Sequence, residues 1–320
     1  MIYVLFIIGF VILVFGANIL VDGASSLGSK MKLSPIVIGF TLVALGTSLP
    51  ELLINIFASV QGESDLAITN VLGSNIMNTL FIIGAAAVIY PIKPDKKTVN
   101  TLIPISLIAA LMLGFLANFE LFAFEEANTI DRIEGIVLIV LLLAYLLYSW
   151  RFSKSEKALP NGPTIKEFSV LKSVALIMFG VAGLYFGGKW VVDGAVFIAT
   201  DFGISKALVG ITIIAVATSL PELVTSVIAA LKKNSEVALG NALGSNIFNI
   251  FLVLGVSSII KPLPFQEDLN FDVGMMIFTN LILFIFILTG KGKAISRIEG
   301  AIIMFIYLAY VAFLIFKYQG

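Results

Sequence analysis

Ten mostly apolar stretches follow one another along this chain, at approximately 2–21, 36–60, 66–90, 101–119, 133–150, 170–192, 208–231, 237–260, 273–289 and 299–316. A helix needs roughly 17–25 such residues to cross the hydrocarbon core. Lipid offers no partners to backbone N–H and C=O groups, so runs of this length must close their hydrogen bonds within themselves as helices. The runs are longer than barrel strands and do not alternate, which excludes an outer-membrane barrel. Composition agrees, with 59% hydrophobic and 12% charged residues where a soluble domain carries about 25% charged. The expected fold class is an all-α integral membrane protein with ten transmembrane helices. Turn or charge clusters such as Lys30-Met31-Lys32, Pro91 to Lys97, Lys232-Lys233 and Lys291 to Lys293 separate the spans. The first run has no basic residue before it and no small-x-small site after it, so it does not read as a cleaved signal peptide.

What the chain lacks narrows its chemistry. Twenty basic residues balance twenty acidic ones, which argues against a nucleic-acid partner. There are no cysteines and no histidines. Disulfides, thiolate or imidazole metal sites, thiol nucleophiles and Ser-His catalysis are excluded together. An aspartyl intramembrane hydrolase would need a pair of mid-membrane aspartates, and these are lacking too. The chain is expected to be no enzyme and to carry no cofactor. Its working groups are carboxylates, hydroxyls, amides and backbone carbonyls.

With the N-terminus on one side, that side receives Arg132, Lys189, Lys206, Lys261 and Lys317, and the other fifteen of the twenty basic residues fall opposite. The basic side faces the cytoplasm by the positive-inside rule. Both termini are therefore expected outside a plasma membrane.

The chain is also written twice. Residues 39–91 align without a gap to residues 210–262, at an offset of 171, with 22 of 53 positions identical. The same offset pairs Asp22-Gly23-Ala24 with Asp193-Gly194-Ala195, and Arg132-Ile133-Glu134-Gly135 matches Arg297-Ile298-Glu299-Gly300 at offset 165. Each copy holds five spans. Five is odd, so the second copy enters the membrane from the opposite side: two inverted five-helix repeats, as in transporters that expose one central site alternately to each face. The organisation read from this is a first repeat at 1–150, a cytoplasmic linker at 151–169 and a second repeat at 170–320.

Two motifs recur inside the repeats. Gly46-Thr47-Ser48-Leu49-Pro50-Glu51 is matched by Ala217-Thr218-Ser219-Leu220-Pro221-Glu222. Asn70-x-Leu72-Gly73-Ser74-Asn75-Ile76-x-Asn78 is matched by Asn241-x-Leu243-Gly244-Ser245-Asn246-Ile247-x-Asn249. Glu51 and Glu222 fall near the middle of their spans, where a carboxylate costs at least ~2.5–3.5 kcal/mol to insert. Pro50 and Pro221 each remove a helical hydrogen bond and push aside the carbonyl four residues earlier, which turns backbone oxygens toward a cavity. These hard oxygen donors describe a cation site. Calcium takes about 6–8 oxygens; two glutamates bring four of them and the charge that one calcium ion neutralises. Hydroxyls and carbonyls complete that shell or surround sodium. Without a cation the paired carboxylates repel, so protons compete for the site.

Other repeated residues read more plainly. Gly73 and Gly244 are expected to serve close helix packing. Ser74, Ser245, Asn78 and Asn249 are expected to be ligands. Asp22 and Asp193 read as helix-end or loop residues. Glu120, Glu125, Glu126, Asp131, Glu267 and Asp268 read as a solvated outer cluster that raises the local cation concentration.

The paired GTSLPE and ATSLPE turns, each followed by N-x-LGSN-I-x-N, resemble the sodium/calcium exchanger branch of the cation/calcium exchanger superfamily, in a compact prokaryotic form. The resemblance spans nearly the whole chain, with both motifs present twice in register. It implies calcium ligands at Thr47, Glu51, Thr218 and Glu222. It implies sodium sites drawing on the same glutamates, the Ala44 and Ala215 carbonyls, Ser48, Ser219, Ser74 and Ser245, with Asn78 and Asn249 at a central position. Some relatives carry Asp where this chain has Asn249. The function so implied is sodium/calcium antiport by alternating access, in contact with the lipid bilayer. Proton/calcium or magnesium exchange is the alternative; its relatives usually have Gly-Asn in place of Gly-Thr-Ser. A channel would use similar donors, but an inverted repeat around a charge-matched site favours carriage.

Overall fold

A computed structural model describes residues 2–94, 96–119, 128–153, 166–201, 218–289 and 294–319. The helices are α1 (Ile2–Lys30), α2 (Pro35–Thr47), α3 (Leu49–Gln61), α4 (Leu66–Ile89), α5 (Lys96–Asn118) and α6 (Arg132–Ser153). They continue as α7 (Val170–Asp201), α8 (Leu220–Leu231), α9 (Ser235–Ile260), α10 (Asn270–Thr289) and α11 (Arg297–Gln319). Among the described residues, eight single helices are long and apolar enough to cross a membrane, and the bent pair of α2 and α3 makes a ninth if it is taken as one span. The expected span at 208–231 is described only from Thr218, and its helix α8 has 12 residues.

Two helices lie at the centre. About three quarters of the apolar window is buried in α4 (72%) and α9 (78%), against 33% in α1 and 22% in α7 and α11. The second signature motif therefore occupies the most enclosed part of the bundle. α1 and α7 pack along each other at the periphery, and both overrun their expected spans, with 29 and 32 residues. Asp22 and Asp193 consequently lie inside helices, not at their ends. The seam between α1 and α7 is built from glycines seven residues apart. A Cβ at Gly9 would sit 3.0 Å from the Gly187 carbonyl oxygen, one at Gly16 2.9 Å from that of Gly180, and one at Gly194 2.6 Å from the Phe6 ring. A seven-residue repeat keeps one face of each helix on its neighbour for the whole crossing, and the missing side chains bring the backbones together.

α2 and α3 meet at Ser48 with a bend of 42°. Ser48 leaves helical geometry (φ −84°, ψ 0°), and Ser219 does the same before α8 (φ −91°, ψ 6°). Each precedes a Leu-Pro pair by one residue. The proline has no N–H for the carbonyl four residues back, so the ladder is cut there. Further loosening comes from π turns at Gly39–Val43, Asn78–Ile82 and Asn249–Leu254. The last two begin at counterpart asparagines.

Contacts between the two copies come in exchanged pairs. Ile92 bridges to Ile295 while their counterparts Leu263 and Ile130 pair in the short strands β1 (Thr129–Ile130) and β2 (Leu263–Pro264). Gly135 abuts Gly255 and Ser258, and Gly300 abuts Gly84 and Ala87, again counterparts. Such reciprocity is what a twofold relation between copies produces. The repeated Arg-Ile-Glu-Gly stretch gains its role here. Asp131 and Glu134 cap α6 reciprocally, with the Glu134 N–H 2.7 Å from Asp131 Oδ1 and the Asp131 N–H 3.1 Å from Glu134 Oε2. Ser296 and Glu299 do the same for α11. Asp131 is thus a buried cap, which corrects its expected place in a solvated acidic cluster. Glu267 and Asp268 are exposed as expected; Glu120, Glu125 and Glu126 lie outside the described residues.

Candidate ion-binding site

Glu51 and Glu222 stand in the first turns of α3 and α8, immediately after the two breaks. The helix N-terminus presents unsatisfied N–H groups and positive potential there, which helps hold a carboxylate away from water. Both side chains are fully enclosed, at 1% and 0% exposure. Thr47, Ser48, Ser74, Asn78, Ser219, Ser245 and Asn249 are enclosed to the same degree, Ala44 as well, and Thr218 nearly so. Ala215 lies outside the described residues.

The hydroxyls tie the two copies together. Thr47 Oγ1 lies 3.3 Å from Ser245 Oγ, and the counterpart pair Thr218 Oγ1 and Ser74 Oγ lies 3.4 Å apart. Ser48 and Ser245 each donate to Glu222 Oε1 at 3.4 Å. Thr47 also donates to Asn241 Oδ1 at 3.1 Å and to the Ala44 carbonyl at 3.2 Å; the Ser48 N–H reaches that same carbonyl at 2.9 Å. Two donors already approach Ala44 O, so an ion there would share it with them.

Several oxygens remain without partners. Both carboxylate oxygens of Glu51, Oε2 of Glu222, the Ser219 hydroxyl, Oδ1 of Asn249 and both amide atoms of Asn78 are buried and make no hydrogen bond. Neither glutamate forms an ion pair with a described basic residue; the ion pairs found there join Asp22 to Lys166 and Lys232. Buried polar atoms are nearly always satisfied, and an unpaired buried carboxylate costs several kcal/mol. Unpartnered oxygens grouped with two buried carboxyls are hard donors of the kind that cations take. Among the described residues no cluster of three or more acidic groups forms. The charge at this point therefore comes from the two glutamates.

Expected residues and observed ones differ in detail. Asp22 belongs to an ion-pair network, 2.5 Å from Lys232 and 3.0 Å from Lys166, away from the glutamates. Gly244 packs as expected, since a Cβ there would fall 2.6 Å from the Phe40 Cα. At Gly73 a Cβ would meet no described atom within 4 Å; the counterparts of Phe40 and Ala44 on that side are positions 211 and 215, outside the described residues. A second layer of amides escaped the sequence reading. Asn241 donates to Ser226 Oγ at 2.9 Å and Asn70 donates to Asn55 Oδ1 at 2.8 Å, the same contact made once within each copy, pinning α8 to α9 and α3 to α4. Asn75, Asn246 and Thr79 form another linked set behind Asn249. Their signal was present, because Asn70, Asn75 and their counterparts recur in both copies. An open groove between α1 and α8, lined by Phe10, Val14, Ile228 and Leu231, has apolar walls and holds none of the candidate ligands.

Known proteins carry the same arrangement. Residues 1–151 and 172–316 match the family described as Sodium/calcium exchanger protein. CaxA of Alkalimonas amylolytica is 37% identical over 317 residues, with 95% of each chain covered. The sodium/calcium exchanger MaX1 of Methanosarcina acetivorans is 34% identical over 350 residues, covering 98% of each. A solved structure of the sodium-calcium exchanger NCX_Mj superposes with a TM-score of 0.83 at 30% identity, over 98% of this chain and 99% of that one. These relatives are membrane transporters, and this chain, a multi-pass membrane protein of the same architecture, belongs to the sodium/calcium exchanger family.

Proposed function

We propose that the chain is an antiporter that exchanges sodium for calcium by alternating access at a site between the broken span α2–α3 and α8. The observation that carries this reading is the pair Glu51 and Glu222: two buried carboxyls in counterpart positions, unneutralised by any described basic residue. In this reading calcium lies between them with Thr47 and Thr218. Sodium ions use the same glutamates with Ala44, Ser48, Ser74, Ala215, Ser219 and Ser245, and Asn78 and Asn249 face the central position. Ten transmembrane helices form two inverted repeats, 1–150 and 170–320, joined by a cytoplasmic linker at 151–169. The protein sits in the plasma membrane with both termini outside. The exchanged contacts between copies support this arrangement, because a site built equally from two inverted halves has no preferred face.

Proton coupling is the second reading, and the facing carboxyls favour it specifically: two glutamates can share a proton as well as a metal ion. Calcium-45 uptake into sodium-loaded proteoliposomes separates the two. Sodium/calcium antiport gives uptake that requires internal sodium and falls as external sodium rises. Uptake driven by a pH gradient, indifferent to sodium, would establish the proton-coupled reading instead.

A further inference from the structure

Asn249 is held behind the site in a way that its counterpart is not. Asn75 Oδ1 accepts the Asn249 amide N–H at 3.2 Å. Asn75 is itself fixed: its Nδ2 donates to the Asn246 carbonyl at 3.3 Å and approaches Met276 Sδ at 3.6 Å. Its oxygen is therefore the end left for Asn249. Asn249 in turn has its nitrogen engaged and its Oδ1 buried without a partner. On the other side the matching bond would run from Asn78 Nδ2 to Asn246 Oδ1. It is absent, because Asn246 Oδ1 and both amide atoms of Asn78 are unpartnered. One residue difference accounts for this. Asn246 Nδ2 donates to the Thr79 hydroxyl at 2.8 Å, and Thr79 donates to the Asn75 carbonyl at 2.9 Å. The counterpart of Thr79 is Ile250, which offers Asn75 no such hydroxyl. Thr79 therefore draws the Asn246 amide away from Asn78 and ties it, through its own bond to the Asn75 backbone carbonyl, to the turn that carries Asn75. All of these side chains are at most 2% exposed, so water does not compete for the bonds.

We infer that Asn75, braced by Thr79 and Asn246, is a positioning residue that presets Asn249 with its carbonyl oxygen toward the transported ion, while Asn78 is left free to turn. The two halves of the site are then unequal despite their repeated sequence, one central oxygen fixed in advance and the other adjustable. An amide that presents oxygen attracts a cation, and the same amide reversed presents N–H and repels it. Partners that orient a ligand in this way are commonly worth about 10-fold or more in ion affinity.

This inference rests on the antiporter reading, and its test separates the two. Calcium-45 exchange is measured in proteoliposomes for the wild type, Glu222→Gln, Asn75→Leu, Asn249→Leu, the double variant Asn75→Leu/Asn249→Leu, Thr79→Ser and Thr79→Val. Thermal melting in detergent is followed in parallel. Asn75→Leu should raise the half-saturating calcium concentration roughly 10-fold with little loss of maximal rate, and Asn249→Leu should do the same. The double variant should be no worse than Asn249→Leu alone, since Asn75 acts through Asn249. Thr79→Ser keeps the hydroxyl and should behave as wild type, whereas Thr79→Val should shift toward Asn75→Leu. Additive losses in the double variant, or an unchanged half-saturation in Asn75→Leu, overturn the positioning role. So does a loss in Asn75→Leu explained by melting alone, with Thr79→Ser equally impaired. Exchange that survives Glu222→Gln defeats the antiporter site itself, whatever the asparagine variants do.

Discussion

Glu51 and Glu222 were legible from sequence because a mid-span carboxylate is costly and therefore conspicuous. Two of them in counterpart positions mark the centre of the candidate site before any coordinates are known. Each is expected to be indispensable. Glu51→Gln or Glu222→Gln leaves one negative charge against a divalent ion, and calcium flux in proteoliposomes should fall to background. Near-normal flux in either well-folded variant would place the site elsewhere. The amides were harder to read, since an asparagine shows its type in the sequence but not which end it presents. Asn249 nevertheless supports a second expectation. The family resemblance implies relatives with Asp at this position, which would add a negative charge there. A unit charge pair ~4 Å apart is worth about 4 kcal/mol at an effective dielectric near 20, before desolvation. A neutral amide lacks that attraction, so exchange here should not require potassium. Replacing potassium by choline on both sides of the vesicle should leave calcium flux unchanged, and loss of flux would make potassium a co-substrate.

At the level of elements, the length of the apolar runs located the described spans but not their interruptions. Pro50 and Pro221 announced a lost hydrogen bond; the 42° bend at Ser48 and the π turns opened by Asn78 and Asn249 depend on how neighbouring helices take up the freed groups. The overrun of α1 and α7 beyond their apolar spans was hidden for a different reason. Asp22 looks like the polar end of a span, yet Lys166 and Lys232 neutralise it inside the helix. The glycine seam between these helices was visible as a seven-residue spacing but had no partner until the helices were placed side by side. It yields a paired prediction. A Cβ at Gly16 would lie 2.9 Å from both Gly180 O and Leu184 N, backbone atoms that cannot swing aside, whereas one at Gly188 would meet only Leu13 Cδ1 at 3.8 Å. Gly16→Ala should therefore lower stability by about 1–3 kcal/mol. Gly188→Ala should be neutral or mildly stabilising, since alanine is the better helix former by up to ~1 kcal/mol. Thermal melting of the two variants in detergent checks the contrast, and equal melting temperatures would refute the close seam.

For the whole molecule, the decisive property is the relation between its two halves. The offset of 171 residues marks the duplication, and the five spans expected in each copy would make the copies inverted. The structure adds that counterpart residues meet across the centre in exchanged pairs, from Thr47–Ser245 and Ser74–Thr218 in the site to Ile92–Ile295 and Leu263–Ile130 at the connecting segments. Inversion makes a sharp demand on these connections: equivalent positions must lie on opposite sides of the membrane. Lys93 and Pro264 are equivalent at that offset, and both are exposed. The natural chain has no cysteine, so a single introduced thiol reports without background. Lys93 belongs to the basic majority that the positive-inside rule assigns to the cytoplasm, and Pro264 follows Lys261 on the other side. In intact cells an impermeant thiol reagent should label Pro264→Cys and leave Lys93→Cys unmodified until the membrane is opened. In inside-out vesicles the pattern should reverse. Labelling of both positions from the same side would mean that the copies run parallel, and a site shared between parallel halves would no longer offer the two membrane faces equivalent access.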